Sequence, residues 1–290
     1  MARYHIPVLL ESSVDLLKIE KDGVYIDVTF GGGGHTKEIL KRLEGGRVIA
    51  FDRDPDARQN LPEDERVELV ESDFTFIESV LEEREVEGVA GILADLGISS
   101  HQIDTPNRGF SYRFDAPLDM RMDQAQDITA ADILNDWEEA DLIRLFSHYG
   151  EVPNAKKLAR VIAERRKGEP IGKTMQFESM IQSCIPKGRH AKYLAQVYQA
   201  LRIEVNQELQ ALESLLTASL KLLKPGGRLV VIAYHSLEDR MVKRFLRAGN
   251  LAGLITRRAI QADEEEIVNN SRARSARLRA GEKIKEVVRD

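Results

Sequence analysis

DVTFGGGGHT (Asp27–Thr36) sets four glycines between a β-rich run, GVYIDVTF (Gly23–Phe30), and a helical stretch, Thr36–Leu43. In an open α/β sheet, the turn between the first strand and the first helix lies in the crevice at the strands' carboxyl ends, where ligands bind. Glycine lets the backbone adopt positive φ and approach a ligand closely, and four in succession exceed what a tight turn requires. Downstream, RVIAFDRD (Arg47–Asp54), VELVES (Val67–Ser72) and GVAGILADLG (Gly88–Gly97) read as the second, third and fourth strands. Short apolar strands alternating with helices predict a parallel sheet covered on both faces.

That rhythm stops at Thr105. ITAADILND, EEADLIRLFSHYG, NAKKLARVIAERRKG and TMQFESMIQSCIP have the spacing of short amphipathic helices with capping residues and Gly or Pro stops. His190–Leu223 is a long helical pattern with a break expected near Glu204–Asn206, and KPGG (Lys224–Gly227) ends it. RLVVIAYH (Arg228–His235) then supplies a fifth strand, HSLEDRMVKRFLR a helix, and LAGLITRRAI and ARSARLRAGEKI two closing strands. The expected layout is a discontinuous α/β core, residues 1–105 and 206–290, interrupted by an all-helical insert, 106–205.

Composition narrows the class. In 290 residues there is no stretch near the roughly 18 apolar residues a membrane span needs. MARYHIPVLLE has too short an apolar run for a secretory signal. A single Cys184 forms no internal disulfide or multi-cysteine zinc site, and the six histidines form no H-E-x-x-H, so a cytoplasmic, metal-independent protein is expected. The net charge of −6 hides an asymmetry: residues 156–192 carry +7, residues 240–290 carry +6, and the remainder −19. Two basic segments on an acidic body suit a polyanionic partner, although solvated helix faces have the same composition.

Three nucleotide ligands compete for the glycine loop. The dinucleotide pattern G-x-G-x-x-G fails, because its third glycine falls on Thr36 or Lys37. A phosphate-binding P-loop fails as well: GEPIGKT (Gly168–Thr174) is one residue short and follows a helix. S-adenosylmethionine has no phosphates and needs instead a carboxylate for its ribose. Asp52, eighteen residues after Gly34 at the end of the second strand, has the position of such an acid, or of a loop cap. Phe74 in SDF is either an adenine-stacking residue or a core residue, and His35 either faces the ligand or donates to a backbone carbonyl at the helix start.

HIPVLLES (His5–Ser12), DVTFGGGGHT, FDRDP, DLGISSHQID, RGFSYRFDAPLDMRMD (Arg108–Asp123), QALRIEVNQEL, HSLEDRMVKRF (His235–Phe245) and RARSARLR (Arg272–Arg279) together resemble, in order and over essentially the whole chain, the bacterial 16S ribosomal RNA (cytosine-N4)-methyltransferase family, RsmH or MraW. The resemblance implies a class I (Rossmann-like) S-adenosylmethionine-dependent methyltransferase sheet with an inserted helical, substrate-recognition domain. It also implies methylation of a cytosine N4 amine in 16S rRNA, within the 30S subunit or a late precursor. Carried over by motif, cofactor contacts fall on Gly33, Gly34, His35, Asp52, Phe74, Asp95 and Gln102. Asp95, at the end of the fourth strand, or else the backbone carbonyls of Leu96 and Gly97 beside it, is the expected catalytic acceptor. The chain has DLGI there, which keeps the leading acid of amino-group methyltransferases but lacks their two prolines and aromatic.

His235, Ser236 and Arg240 are candidates to line the substrate mouth, with Glu238 and Asp239 expected to cap and charge-balance their helix. Arg272 and Arg274, at alternate positions near a late strand, suit phosphate contact or an ordinary charged edge. Two rivals stand beside this reading. A small-molecule methyltransferase has no use for the long basic insert, and a catalytically silent RNA-binding or assembly factor has none for an intact loop with Asp52 and Asp95.

Overall fold

The computed structural model describes residues 6–249, 251 and 253–284. The chain divides into two compact units, Met1–Gly97 with Leu209–Asp290, and Ile98–Glu208.

The first unit holds a seven-stranded sheet: β1 Val24–Asp27, β2 Arg47–Asp52, β3 Val67–Glu71, β4 Val89–Asp95, β5 Leu223–Ala233, β6 Gly253–Leu254 and β7 Arg277–Glu282. Its order is β3-β2-β1-β4-β5-β7-β6, parallel through β5, with β7 inserted antiparallel between β5 and β6. This is the class I S-adenosylmethionine-dependent methyltransferase sheet. The strand order reverses between β1 and β4, so the loops that follow those strands diverge and leave a crevice.

Alternation along the strands builds both covers. Ile26, Ile49, Ile92, Ala94, Leu229 and Val231 face one side, against Leu212, Leu215, Val242 and Leu246. Tyr25, Val48, Leu93, Val230 and Ile232 face the other, against Val14, Leu17, Ile39 and Leu40. A period of two with both faces buried explains why these strands read as continuous apolar runs. Each fully buried Ile or Leu contributes about 2 kcal/mol by removal from water.

Helices of this unit are α1 Leu10–Leu17, α2 Gly34–Arg42 and α3 Ile77–Glu83, and, late in the chain, Glu208–Leu222, Ser236–Arg247 and Glu264–Asn269. The helical unit contains α4 Ser100–Asp104, α5 Ala130–Asp136, α6 Glu139–His148, α7 Ala155–Arg165, α8 Thr174–Ile181 and α9 His190–Val205; the three late helices are then α10, α11 and α12. Its own core gathers Ile133, Leu142, Phe146, Leu158, Ile162, Phe177, Leu194, Val197 and Leu201. The unit runs three to eight residues beyond the expected 106–205 at its two ends. Asn206 shows why at one end: its amide donates to Met120 O at 2.7 Å and its carbonyl accepts from Met122 N at 2.8 Å, inside the helical core.

Several local expectations are corrected. KPGG does not simply stop a helix: β5 already pairs at Leu223 with Val89, and its ladder resumes at Arg228 opposite Gly91, so Lys224–Gly227 form an irregularity within the strand. Among its described residues, LAGLITRRAI supplies only the two-residue β6 and an isolated bridge between Ile260 and Leu278. Arg272 and Arg274 lie in a 3-10 turn, Ser271–Ser275, and not along β7. Among the described residues no helix is long and apolar enough to cross a membrane.

Candidate active site

Glycine geometry sets the floor of the crevice. Gly33 takes φ +72° as N-cap of α2, and a Cβ built there meets the Phe30 ring at 2.9 Å. A Cβ on Gly34 would collide with the Pro7 ring, so the chain at Pro7 is laid directly over the loop. Its His5 lies outside the described residues.

Asp52, at the end of β2, binds that loop. Its Oδ2 accepts from Gly31 N at 2.7 Å and its Oδ1 from Asp54 N at 2.9 Å. Each carboxylate oxygen has capacity for a second donor. The loop-cap and ligand-holding readings of Asp52 are therefore compatible. Burial pushes its pKa up to about 6, against the pull of the Asp54 and Gly31 amides.

Asp95 closes β4 beside the same loop. Its backbone N–H donates to Thr29 Oγ1 at 2.6 Å, and its Oδ1 accepts the Tyr234 phenol at 2.7 Å. Its Oδ2 lies 3.8 Å from His35 Nδ1. The other ring nitrogen, His35 Nε2, is 3.2 Å from Val8 O. A carbonyl only accepts, so Nε2 bears a proton, and Nδ1 is the ring nitrogen nearer Asp95. His35 thus both donates to a backbone carbonyl and faces the site. Burial pushes Asp95 up to about 6; His35 and the Tyr234 hydrogen bond pull it down, and Asp27 and Glu238 push it further up.

Below these groups Asp27, at the end of β1, is fully buried. It accepts from Thr36 Oγ1 at 2.7 Å and from Thr29 N at 3.1 Å, which fixes both ends of the loop. Burial raises its pKa. Asp27, Asp52, Asp95 and Glu238 together give this end of the sheet an acidic character. Such surroundings repel a phosphate and favour a cation, which fits a sulfonium nucleoside held by its ribose hydroxyls better than a nucleotide.

The remaining expected residues have different settings. Phe74 opens a 3-10 turn after β3 and packs, half-buried, against the sheet core, while Asp73 beside it accepts from Arg53 at 3.1 Å. Gln102 belongs to the helical unit, where it is buried in α4 and closes a capping box with Ser99. His235 is the N-cap of α11: its Nδ1 accepts from Glu238 N at 3.4 Å, and its Nε2 lies 3.1 Å from Glu238 Oε1. Ser236 is half-buried and Arg240 exposed. Glu238 caps the helix as expected, whereas Asp239 is buried and accepts from Arg279 at 2.7 Å and Arg277 at 3.2 Å. Neither Tyr234 nor Asp27 is singled out by the sequence, although both stand at strand ends, where the position itself is the signal.

The profile of the MraW methylase family matches residues 2–284. Similar curated proteins are each named ribosomal RNA small subunit methyltransferase H. That of Cytophaga hutchinsonii is 50% identical over 97% of this chain and 99% of its own. That of Flavobacterium johnsoniae is 51% identical over 97% and 98%, and that of Bacteroides fragilis 49% over 97% and 97%. With a glycine loop latched by Asp52, an acid at the end of β4 and a profile match across nearly its whole length, the chain belongs to the MraW methylase family.

Proposed function

We propose that the chain transfers a methyl group from S-adenosylmethionine to the N4 amine of a cytosine in the decoding region of 16S rRNA, presented by the 30S subunit or a late precursor. The observation that carries this reading is that Asp52 and Asp95, at the ends of β2 and β4, each hold the segment that follows β1, through Gly31 and Thr29, in a chain half identical to small-subunit rRNA methyltransferases.

In this reading Asp52 holds the ribose hydroxyls, Gly33 and Gly34 admit the ligand's close approach, and Phe74 offers a face to the adenine. Bound there, S-adenosylmethionine supplies a methyl group already activated on a sulfonium. The cytosine amine is a weak nucleophile because its lone pair is delocalised into the ring, so alignment and electrostatics are the protein's contribution. Asp95 Oδ2 accepts a hydrogen bond from the amine as positive charge grows on nitrogen, and then takes its proton. The target base must be turned out of its stack to reach this acid. In the helical unit, Lys156, Lys157, Arg160 and Arg165 are exposed on α7, as are Lys187 and Arg189 just before α9 and Lys192 in its first turn. These cations are suited to the phosphates around the target.

Incubation with labelled methyl donor and small subunits lacking this methyl group tests the proposal. Label in 16S rRNA is expected; label in a small metabolite alone, or none at all, excludes it.

A further inference from the structure

Tyr234, the first of the two residues between β5 and α11, was assigned no role above, yet its phenol donates to the Asp95 carboxylate at 2.7 Å. We infer that Tyr234 is a positioning residue for the methyl-transfer step: its phenol holds Oδ1 of Asp95 so that Oδ2 is the oxygen presented to the amine. The inference rests on the proposed reaction.

The geometry is over-determined from behind. Glu238 Oε2 accepts from Tyr234 N at 2.9 Å and from His235 N at 3.3 Å, so the capping acid of α11 also seats the tyrosine backbone. Glu238 is itself 2% exposed. Asp95 is fixed from the opposite side by Thr29, which accepts its backbone N–H. With Oδ1 already holding the phenol, Oδ2, which lies 3.8 Å from His35 Nδ1, is the less engaged oxygen and the one better placed to accept from substrate. Besides Tyr234, the titratable groups facing Asp95 are His35, Asp27 and Glu238, and Arg272 faces Tyr234. The phenol stays protonated, since burial and the neighbouring Asp95 raise its pKa well above the ordinary value. It is therefore a donor throughout the working range, and the bond favours the ionised carboxylate. In the step itself an N–C bond forms as the sulfonium S–C bond breaks, with its electron pair left on sulfur; the amine N–H bond then breaks as an O–H bond forms at Oδ2, while the Tyr234 O–H bond stays intact.

Tyr234→Phe tests this by kinetics. Turnover is expected to fall by about tenfold, with the KM for 30S subunits and the affinity for S-adenosylhomocysteine within about threefold of wild type. The acid limb of turnover against pH should move up by about one unit, because the ionised carboxylate loses a donor. Incorporation of 3-fluorotyrosine at 234 is the complementary variant. It keeps the shape and strengthens the donor, so the acid limb should move down, and it serves if Tyr234→Phe fails to fold. A purely structural tyrosine would leave both acid limbs where wild type has them, and that result would overturn the inference. Absence of methyl transfer by the wild-type chain would instead sink the proposed function.

Discussion

Asp52 Oδ2 accepts the Gly31 backbone N–H at 2.7 Å, so the acid ending β2 and the glycine loop following β1 are latched into a single structure. Asp52→Asn removes the charge and one acceptor. Loss of hydrogen bonds to a charged group is worth about 1.5–3 kcal/mol, so calorimetry should show S-adenosylhomocysteine affinity lower by roughly 10- to 100-fold. Unchanged affinity would mean that Asp52 only braces the loop.

Gly34→Ala probes the same loop from above. The new methyl falls on Pro7, and the displaced segment includes Val8, whose carbonyl holds His35. S-adenosylhomocysteine affinity and turnover should both drop by about tenfold or more, with far-ultraviolet dichroism unchanged. Normal turnover would show that the segment moves aside without consequence.

The two acids at about pKa 6 set a pH dependence. Turnover requires Asp95 ionised, so it should rise with pH through about 6 and level off above. Stability runs the opposite way. A carboxyl whose folded pKa exceeds its unfolded value stabilises the fold below the unfolded value, and that contribution is lost as pH rises through the folded one. Asp95→Asn should therefore be more stable than wild type at pH 7.5, by up to about 3 kcal/mol, with the gap closing toward pH 4. Urea melts at the two pH values decide it; a gap independent of pH refutes the burial argument.

Arg279 and Asp239 are both buried and joined at 2.7 Å. Arg279→Ala leaves a buried carboxylate with only the half-exposed Arg277 as partner and should cost about 3 kcal/mol in urea denaturation. Arg274→Ala, at an exposed position in the neighbouring turn, should stay within about 0.5 kcal/mol of wild type. Equal effects would remove the distinction between a structural and a surface arginine in RARSARLR.

On α7, the double change Lys156→Glu with Arg160→Glu should raise the KM for 30S subunits about tenfold and flatten its salt dependence, while S-adenosylhomocysteine affinity holds. A salt slope equal to that of wild type would clear this face of any RNA role.

What could be read from the chain was whatever depends on local order. Apolar runs located β1 to β4, the polar break near Glu204–Asn206 located the end of α9, and loop glycines with acids at strand ends placed Asp52 and Asp95 at the crevice. The rest depends on contacts between distant residues. Tyr234 reaches Asp95 across 139 positions, and Arg279 reaches Asp239 across 40, neither visible as a period. The α1 helix is only eight residues long and starts after a left-handed Leu9 with no side-chain cap, so it offers no start signal. KPGG reads as a stop because a bulge and a turn use the same residues; the Gly226 N–H donating to Lys283 O at 2.6 Å and the Lys283 N–H donating to Gly227 O at 2.9 Å tie it to the chain just past β7.

The most direct test is the structure of the chain crystallised with S-adenosylhomocysteine. The ligand should lie beyond the ends of β1 and β4, its ribose hydroxyls on Asp52 and its sulfur on the side of Asp95. An empty crevice at saturating ligand, or the nucleoside bound away from Asp52, would contradict the account.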